Sequence, residues 1–420
     1  MSSPAVVEQA TLRKLPQAGI GWLDVGEEER ALVNEVIDRG LLNRYYAVDP
    51  EEPPLMAQTL EREFRTKMGR RYGLAVTSGT AALSVALDAL QIGPGDEVIV
   101  PVYSWISCAT AVLRCGATPV FADMDLSLSM DPAEILRLAS PRTKAVIVVH
   151  YQGVAAAMDA VLEAAGKRDL RVIEDCASSC GASYRGKRVG SMGDIGTYSF
   201  QTNKIMTSGE GGMVLMDDPV LFERACRAHD LGLLRPMHAA QLGAPSLPGF
   251  AGAQHRVTEL NAAVALAQLR KLDRYIARCR AMTARIWERV GRPEQLTFRH
   301  IPDPQGDLGI ESYFWPEKVE TTAALREAIK RRGVDCEKRT GTYSHCARDY
   351  IRLRAATRPG TNPLSSFPNW PALGYHAEDF PRINSLADRM LALPMGIRFS
   401  DDDVEYIAES LAEAFEEVLG

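Results

Sequence analysis

No run of apolar residues in this sequence reaches the roughly 18 needed to cross a bilayer as a helix. Residues 1–9 have no basic start followed by an apolar stretch, so a secretory leader is not expected. The 8 cysteines contain no CxxC pair. Cys176 and Cys180 come closest, without a Cys or His partner at zinc-finger spacing. A thiol-metal knuckle and a disulfide scaffold are both disfavoured, which predicts no bound metal, reduced thiols and a cytoplasmic location. Positive charge is not in excess either: 48 Lys and Arg stand against 54 Asp and Glu, a net charge of −6. That balance offers no bulk attraction for nucleic acid or an anionic membrane. The densest basic stretch, Arg62, Arg65, Lys67, Arg70 and Arg71, is interleaved with Glu61 and Glu63 and reads as a solvated helix end. Internal repeats and low-complexity tracts are missing as well.

What is present is an ordinary globular balance, 46% hydrophobic and 24% charged over 420 residues, enough for one large domain and a smaller one. Short apolar runs at 74–77, 97–101, 119–122, 144–150 and 171–176 alternate with amphipathic stretches at 81–90, 106–114, 132–138 and 158–166. Buried strands separated by helices predict an α/β fold with a mostly parallel sheet covered on both faces. Two more strands are expected at 197–200 and 212–216, joined by a glycine-rich turn, and one long helix at 258–285. Beyond it the pattern predicts a smaller α+β unit. Its strands fall at 296–301 and 312–319, its helices at 322–332 and 401–419, and residues 340–372 read as loop. The division is placed at 20–275 and 276–420, with residues 1–30 able to pack on either part.

Three segments carry the chemistry. Ser78-Gly79-Thr80 follows a predicted strand and opens a helix, so its unbonded N–H groups can hold a phosphate, or Ser78 can simply cap the helix. Asp175 ends an apolar strand, where ligands gather in open α/β sheets. There a carboxylate caps the next helix or pairs with a cation, and in a pyridoxal-phosphate enzyme that cation is the ring nitrogen. Lys204 stands between a strand and a turn containing Gly209, Gly211 and Gly212. A solvated loop lysine is the ordinary reading, but a Schiff-base lysine needs just such an anchored setting. The three glycines suit a turn needing positive φ or close backbone approach.

Together these residues resemble the DegT/DnrJ-type sugar aminotransferases, a branch of the fold-type I pyridoxal-phosphate enzymes. Ser78-Gly79-Thr80, Glu174-Asp175, Ser199 to Lys204 and Gly209-Glu210-Gly211-Gly212 carry the resemblance. Residues 95–101, 116–123 and 259–269 extend it, so it covers about 26–272 and more loosely the rest. It implies a fold-type I large domain with a smaller C-terminal α+β domain and pyridoxal 5'-phosphate as cofactor. It also implies ping-pong transfer from glutamate or glutamine. Lys204 would form the Schiff base and shuttle the proton, and Asp175 would pair with the ring nitrogen. Trp105 would stack on the ring, the alternative being a buried tryptophan at a helix start. Gly79, Thr80 and Ser199 would bind the phosphate. Gln254 and Arg256 would complete that site from a partner subunit, which makes the enzyme a homodimer.

The sequence departs from the family at two places. Ser178 replaces the usual Gln or His beside the cofactor hydroxyl and is too short for that role without water. Gln201 replaces a common His and is similar to branches acting on cyclitols and aminohydroxybenzoate precursors, which makes it a candidate substrate contact. Arg44-Tyr45-Tyr46 and residues 301–307 are similar to octulosonate aminotransferases, so Arg44 could meet a substrate carboxylate or phosphate, or be a surface arginine. Octulosonates, nucleotide-linked keto-sugars and cyclitols all remain open as acceptors. A sugar dehydratase is disfavoured because such relatives carry His in place of Lys204, and a non-catalytic regulator because Asp175, Ser199 and Lys204 are all kept.

Overall fold

Two helices precede the sheet, α1 (Glu27–Arg39) and α2 (Met56–Met68), each stopped by a glycine in the left-handed region, Gly40 at φ 68° and Gly69 at φ 76°. The chain then alternates β1 (Tyr72–Val76), α3 (Gly79–Ala89), β2 (Glu97–Pro101), α4 (Ser107–Arg114), β3 (Thr118–Ala122), α5 (Pro132–Leu138), β4 (Thr143–Val149), α6 (Met158–Gly166) and β5 (Arg171–Asp175). A short hairpin of β6 (Ser183–Tyr184) and β7 (Lys187–Arg188) leads to β8 (Ile195–Ser199) and β9 (Gly212–Met216). Helices α7 (Pro219–His229) and α8 (Pro236–Leu242) follow, then the long α9 (Glu259–Val290). These elements come from a computed structural model that describes residues 13–45, 54–243, 247–338, 344–358, 360–365 and 376–420.

The large sheet has strand order β1-β9-β8-β5-β4-β2-β3. β8, β5, β4, β2 and β3 pair in parallel, while β9 runs antiparallel to both β8 and β1. The mostly parallel sheet is therefore as expected, with one reversal. A short connection can join only antiparallel neighbours, and the loop between β8 and β9 is such a hairpin, with Lys204 inside it. Every residue of β1, β2, β3, β8 and β9 is buried. Burial on both faces is why these strands read as unbroken apolar runs rather than alternating ones.

The C-terminal part contains β10 (Leu296–Phe298), β11 (Glu311–Pro316), α10 (Val319–Arg331), β12 (Glu337–Lys338), α11 (Asp349–Arg352), α12 (Pro381–Ala387), β13 (Leu391–Pro394) and α13 (Asp401–Leu419). Its antiparallel sheet has the order β10-β11-β13-β12. The interior strand β13 is not foreseen by the sequence pattern, because four apolar residues carry no period that separates strand from helix. Within the stretch read as loop, the described residues hold helical turns at His345–Ala347, Asp349–Arg352 and Pro363–Ser365; residues 340–343, 359 and 366–372 lie outside them.

The boundary drawn at 275/276 falls inside α9, which packs against α1, α2 and α13 alike. The N-terminal segment also touches both parts. Gly19 N donates to Met395 O (3.1 Å) and Ile397 N to Gly19 O (2.9 Å), while Asp24 accepts from Arg274 (2.5 Å) and the Tyr275 hydroxyl (2.9 Å). One member of the basic stretch needs correcting. Arg70 is not solvated: its guanidinium is buried, donates to Gly190 O (3.0 Å) and Gly193 O, and pairs with Asp217 at 2.7 Å. Among the described residues, no helix is long and apolar enough to cross a membrane.

Candidate active site

Five elements converge at the C-terminal end of the parallel strands. Ser78 caps α3 by accepting from Ala81 N at 3.0 Å, and Ala82 N bonds to Ser78 O, which leaves the N–H groups of Gly79 and Thr80 without partners among the described residues. A Cβ on Gly79 would lie 2.7 Å from Ser199 Cβ. Only glycine lets the end of α3 close on β8, and this contact brings Gly79, Thr80 and Ser199 together. Thr80 Oγ1 meets Ser107 Oγ at 2.7 Å, tying the start of α3 to that of α4. The result is a cradle of free donors at a helix N-terminus, suited to a phosphate.

Lys204 sits in the β8–β9 hairpin loop, which bonds to itself throughout. Phe200 N donates to Gly211 O (2.8 Å), Ser208 N to Phe200 O (2.9 Å) and Lys204 N to Gln201 O (2.9 Å). Asn261 of α9 clamps the loop from outside, donating to Ser208 O (2.9 Å) and Glu210 O (3.1 Å). Gly209 has φ 78°, and side chains on Gly211 and Gly212 would strike Ser208 Oγ at 2.6 Å and Ser78 O at 2.6 Å. The loop thus holds a half-buried amine on rigid backbone, with no hydrogen bond or ion pair to Nζ among the described residues. Burial pushes the Lys204 pKa below lysine's usual 10.5, while Asp175 and then Cys108 pull it back.

Asp175, buried at the end of β5, accepts from Ala177 N at 2.9 Å and from the Cys108 thiol at 3.2 Å. A turn rather than a helix follows β5, so Asp175 caps no helix; its bond to Ala177 N braces that turn. Trp105 lies just before α4 and is 60% exposed, so it is not the buried helix-start tryptophan of the alternative reading. An amine, a carboxylate, a phosphate cradle and an exposed aromatic ring fit a flat, phosphorylated, nitrogen-bearing aldehyde.

The other expected residues lie differently. Arg44 is 1% exposed and ion-paired to Glu61 at 2.5 Å, with a further bond to Ala75 O at 2.8 Å. That corrects the expectation of a substrate contact, because its charge is already matched inside the fold. Its neighbour Tyr46 lies outside the described residues. Ser178 Oγ donates to His150 O (3.1 Å) and accepts from Gln152 N (3.0 Å), so its hydroxyl is engaged by backbone rather than offered to a cofactor. Gln201 Oε1 accepts from Asn203 N at 3.0 Å, leaving its amide N–H groups unbonded among the described residues. Gln254 is exposed and bridges to Asp230, whereas Arg256 is ion-paired with Asp230, which also binds Arg235 at 2.5 Å.

Glu174, next to Asp175 but facing the opposite side of the sheet, enters the sequence pattern only as part of a motif. Its carboxylate accepts from Gly190 N (2.7 Å), Met192 N (2.7 Å), Gly193 N (2.6 Å) and His150 Nε2 (3.0 Å). His150 Nδ1 accepts from Ala156 N at 3.1 Å, which fixes the tautomer with hydrogen on Nε2. His150, Glu174 and Cys176 are close enough to suggest a metal cluster, but these bonds already use the histidine and carboxylate. Burial works to raise the Glu174 pKa, yet the bonds from His150, Gly193 and Gly190 outweigh it and hold it below 4.5. A lowered folded-state value adds stability above the unfolded pKa that is lost as pH falls through the folded one. Glu174→Ala should cost about 3–5 kcal/mol in denaturant titrations at pH 7. Glu174→Gln should flatten the wild-type loss of stability below about pH 4; a wild-type-like acid profile in that variant would remove Glu174 from this role.

The sequence signature of the DegT/DnrJ/EryC1/StrS aminotransferase family matches residues 24–412. The chain belongs to this family. It is 41% identical over 360 residues to a GDP-perosamine synthase of Caulobacter vibrioides, covering 84% of this chain and 88% of that one. It is 32% identical over 401 residues to the spore coat polysaccharide biosynthesis protein SpsC of Bacillus subtilis, covering 93% and 95%. The crystal structure of 3-amino-5-hydroxybenzoic acid synthase superposes with a TM-score of 0.78 at 27% identity, covering 96% of this chain and all of that one. The fold is that of the fold-type I transferases, and the protein is a pyridoxal-phosphate-dependent aminotransferase.

Proposed function

We propose that this enzyme moves an amino group from glutamate or glutamine to the ketone of a nucleotide-linked sugar, as a homodimer. The observation that carries the reading is the convergence of an unpaired, partly desolvated Lys204 amine, the Asp175 carboxylate and the open N-terminus of α3. The cofactor supplies an aldehyde carbon and a ring that accepts electrons when its nitrogen is protonated. The N–H groups of Gly79 and Thr80 and the Ser199 hydroxyl would hold its phosphate, and Trp105 would stack on its ring. Asp175 would pair with the ring nitrogen and keep its proton in place. Lys204 would take the proton leaving the donor's α-carbon and return it to the cofactor's aldehyde carbon, on the far side of the transferred nitrogen, a task favoured by its lowered pKa. The Gln201 amide N–H groups, unbonded among the described residues, would be available to the acceptor. Gln254, exposed beside Asp230, would reach the phosphate of a second copy, with Arg256 joining it from its ion pair with Asp230.

The nucleotide-linked class is favoured over octulosonates because Arg44 is already paired with Glu61, and because the 41%-identical relative is a GDP-perosamine synthase. The likeness to 3-amino-5-hydroxybenzoic acid synthase keeps a carbocyclic acceptor as the second reading. A stopped-flow screen decides between them. Glutamate or glutamine should bleach the cofactor's visible band, and a nucleotide-linked keto-hexose should restore it. Restoration by a free cyclitol ketone alone would replace the first reading by the second. Gly79→Ala should raise the pyridoxal phosphate Kd about tenfold, since the added methyl pries α3 from Ser199. Unchanged affinity, measured by equilibrium dialysis, would separate the cradle from the phosphate.

A further inference from the structure

Cys108 has no part in the roles described so far. It occupies the first turn of α4, is fully buried, and donates its thiol hydrogen to Asp175 Oδ2 at 3.2 Å. The other carboxylate oxygen is held by Ala177 N at 2.9 Å. Two donors from different elements, α4 and the turn after β5, therefore fix the plane of one carboxylate. A thiol is a weak donor, so it orients the carboxylate while withdrawing less of its charge than a hydroxyl or amide would. Burial, and after it the negative charge of Asp175, push the thiol pKa well above 9.0, so the hydrogen stays on sulfur. Cys108 also lies within electrostatic reach of Lys204.

We propose that Cys108 is a positioning residue, whose thiol hydrogen bond sets the orientation and basicity with which Asp175 meets the cofactor's ring nitrogen. The proposal rests on the reading of Asp175 given above, and its test separates the two. Pyridoxal phosphate dissociation constants are measured on the apo forms of wild type, Cys108→Ser, Cys108→Ala, Asp175→Asn and the Cys108→Ala/Asp175→Asn pair. Cys108→Ala should weaken binding about three- to tenfold, and Cys108→Ser should restore it to within about twofold. In the Asp175→Asn background, Cys108→Ala should have no further effect, because its partner charge is gone. If serine is as damaging as alanine, or if the two losses multiply, Cys108 merely fills space and the proposal falls. If Asp175→Asn alone leaves affinity unchanged, the reading of Asp175 falls and takes this one with it. Should the alanine variant not fold, the isosteric pair Cys108→Thr and Cys108→Val makes the same comparison of a donor against none. Weaker binding with valine than with threonine then supports the role, and equal binding by the two overturns it.

Discussion

Replacing Lys204 with alanine lowers turnover about 100- to 10,000-fold, the range expected when a positioned proton-transfer group is lost. The fold should survive, because Nζ makes no hydrogen bond among the described residues and the loop is held by its backbone, Thr207 and Asn261. Chemical denaturation should differ from wild type by less than about 1 kcal/mol. The apo variant should still take up cofactor through α3 and Asp175, but without covalent attachment. A pH signature accompanies this in the wild type. The neutral amine is the nucleophile, and burial lowers its pKa beneath 10.5. The rate of cofactor capture by the apoenzyme should therefore rise with pH and level off before 10.5 is reached. Wild-type turnover in the alanine variant would remove Lys204 from the chemistry.

Asp175→Asn is expected to slow the donor half-reaction at least about 100-fold and to weaken cofactor binding about 10- to 100-fold. The amide has nearly the shape of the carboxylate, and its single oxygen can still accept from Ala177 N while its nitrogen replaces the oxygen that meets the Cys108 thiol. What it lacks is the negative charge that keeps a proton on a ring nitrogen. Single-turnover kinetics with glutamate test the point directly, since they separate proton transfer from acceptor binding. The donor's apparent affinity should move far less than the rate. Equal losses in both would indicate a distorted pocket instead.

Much of this is legible in the sequence wherever a local rule controls the outcome. The strands at 97–101 and 212–216 and the helices at 132–138, 158–166 and 401–419 emerge with the predicted ends. Helix α5 shows why: it begins at an Asp cap followed by proline, a start signal read from two residues. The same signal, Asp218 before Pro219, marks α7, a helix absent from the sequence-based expectations although this pair could have found it. What could not be read is pairing over distance. Nothing local tells that Arg44 finds Glu61, that Arg70 is buried against the turn after β7, or that Glu174 gathers three backbone amides and His150. Cys108 is invisible for the same reason, since 67 residues separate it from Asp175. The reversal of β9 follows from the hairpin that carries Lys204, and the unforeseen β13 from brevity.

The most direct test of the central claim is borohydride reduction of the holoenzyme, followed by proteolysis and mass spectrometry. A single pyridoxyl adduct on the peptide containing Lys204, absent after pretreatment with excess glutamate, is the predicted result. An adduct on any other lysine, or none at all, would contradict it.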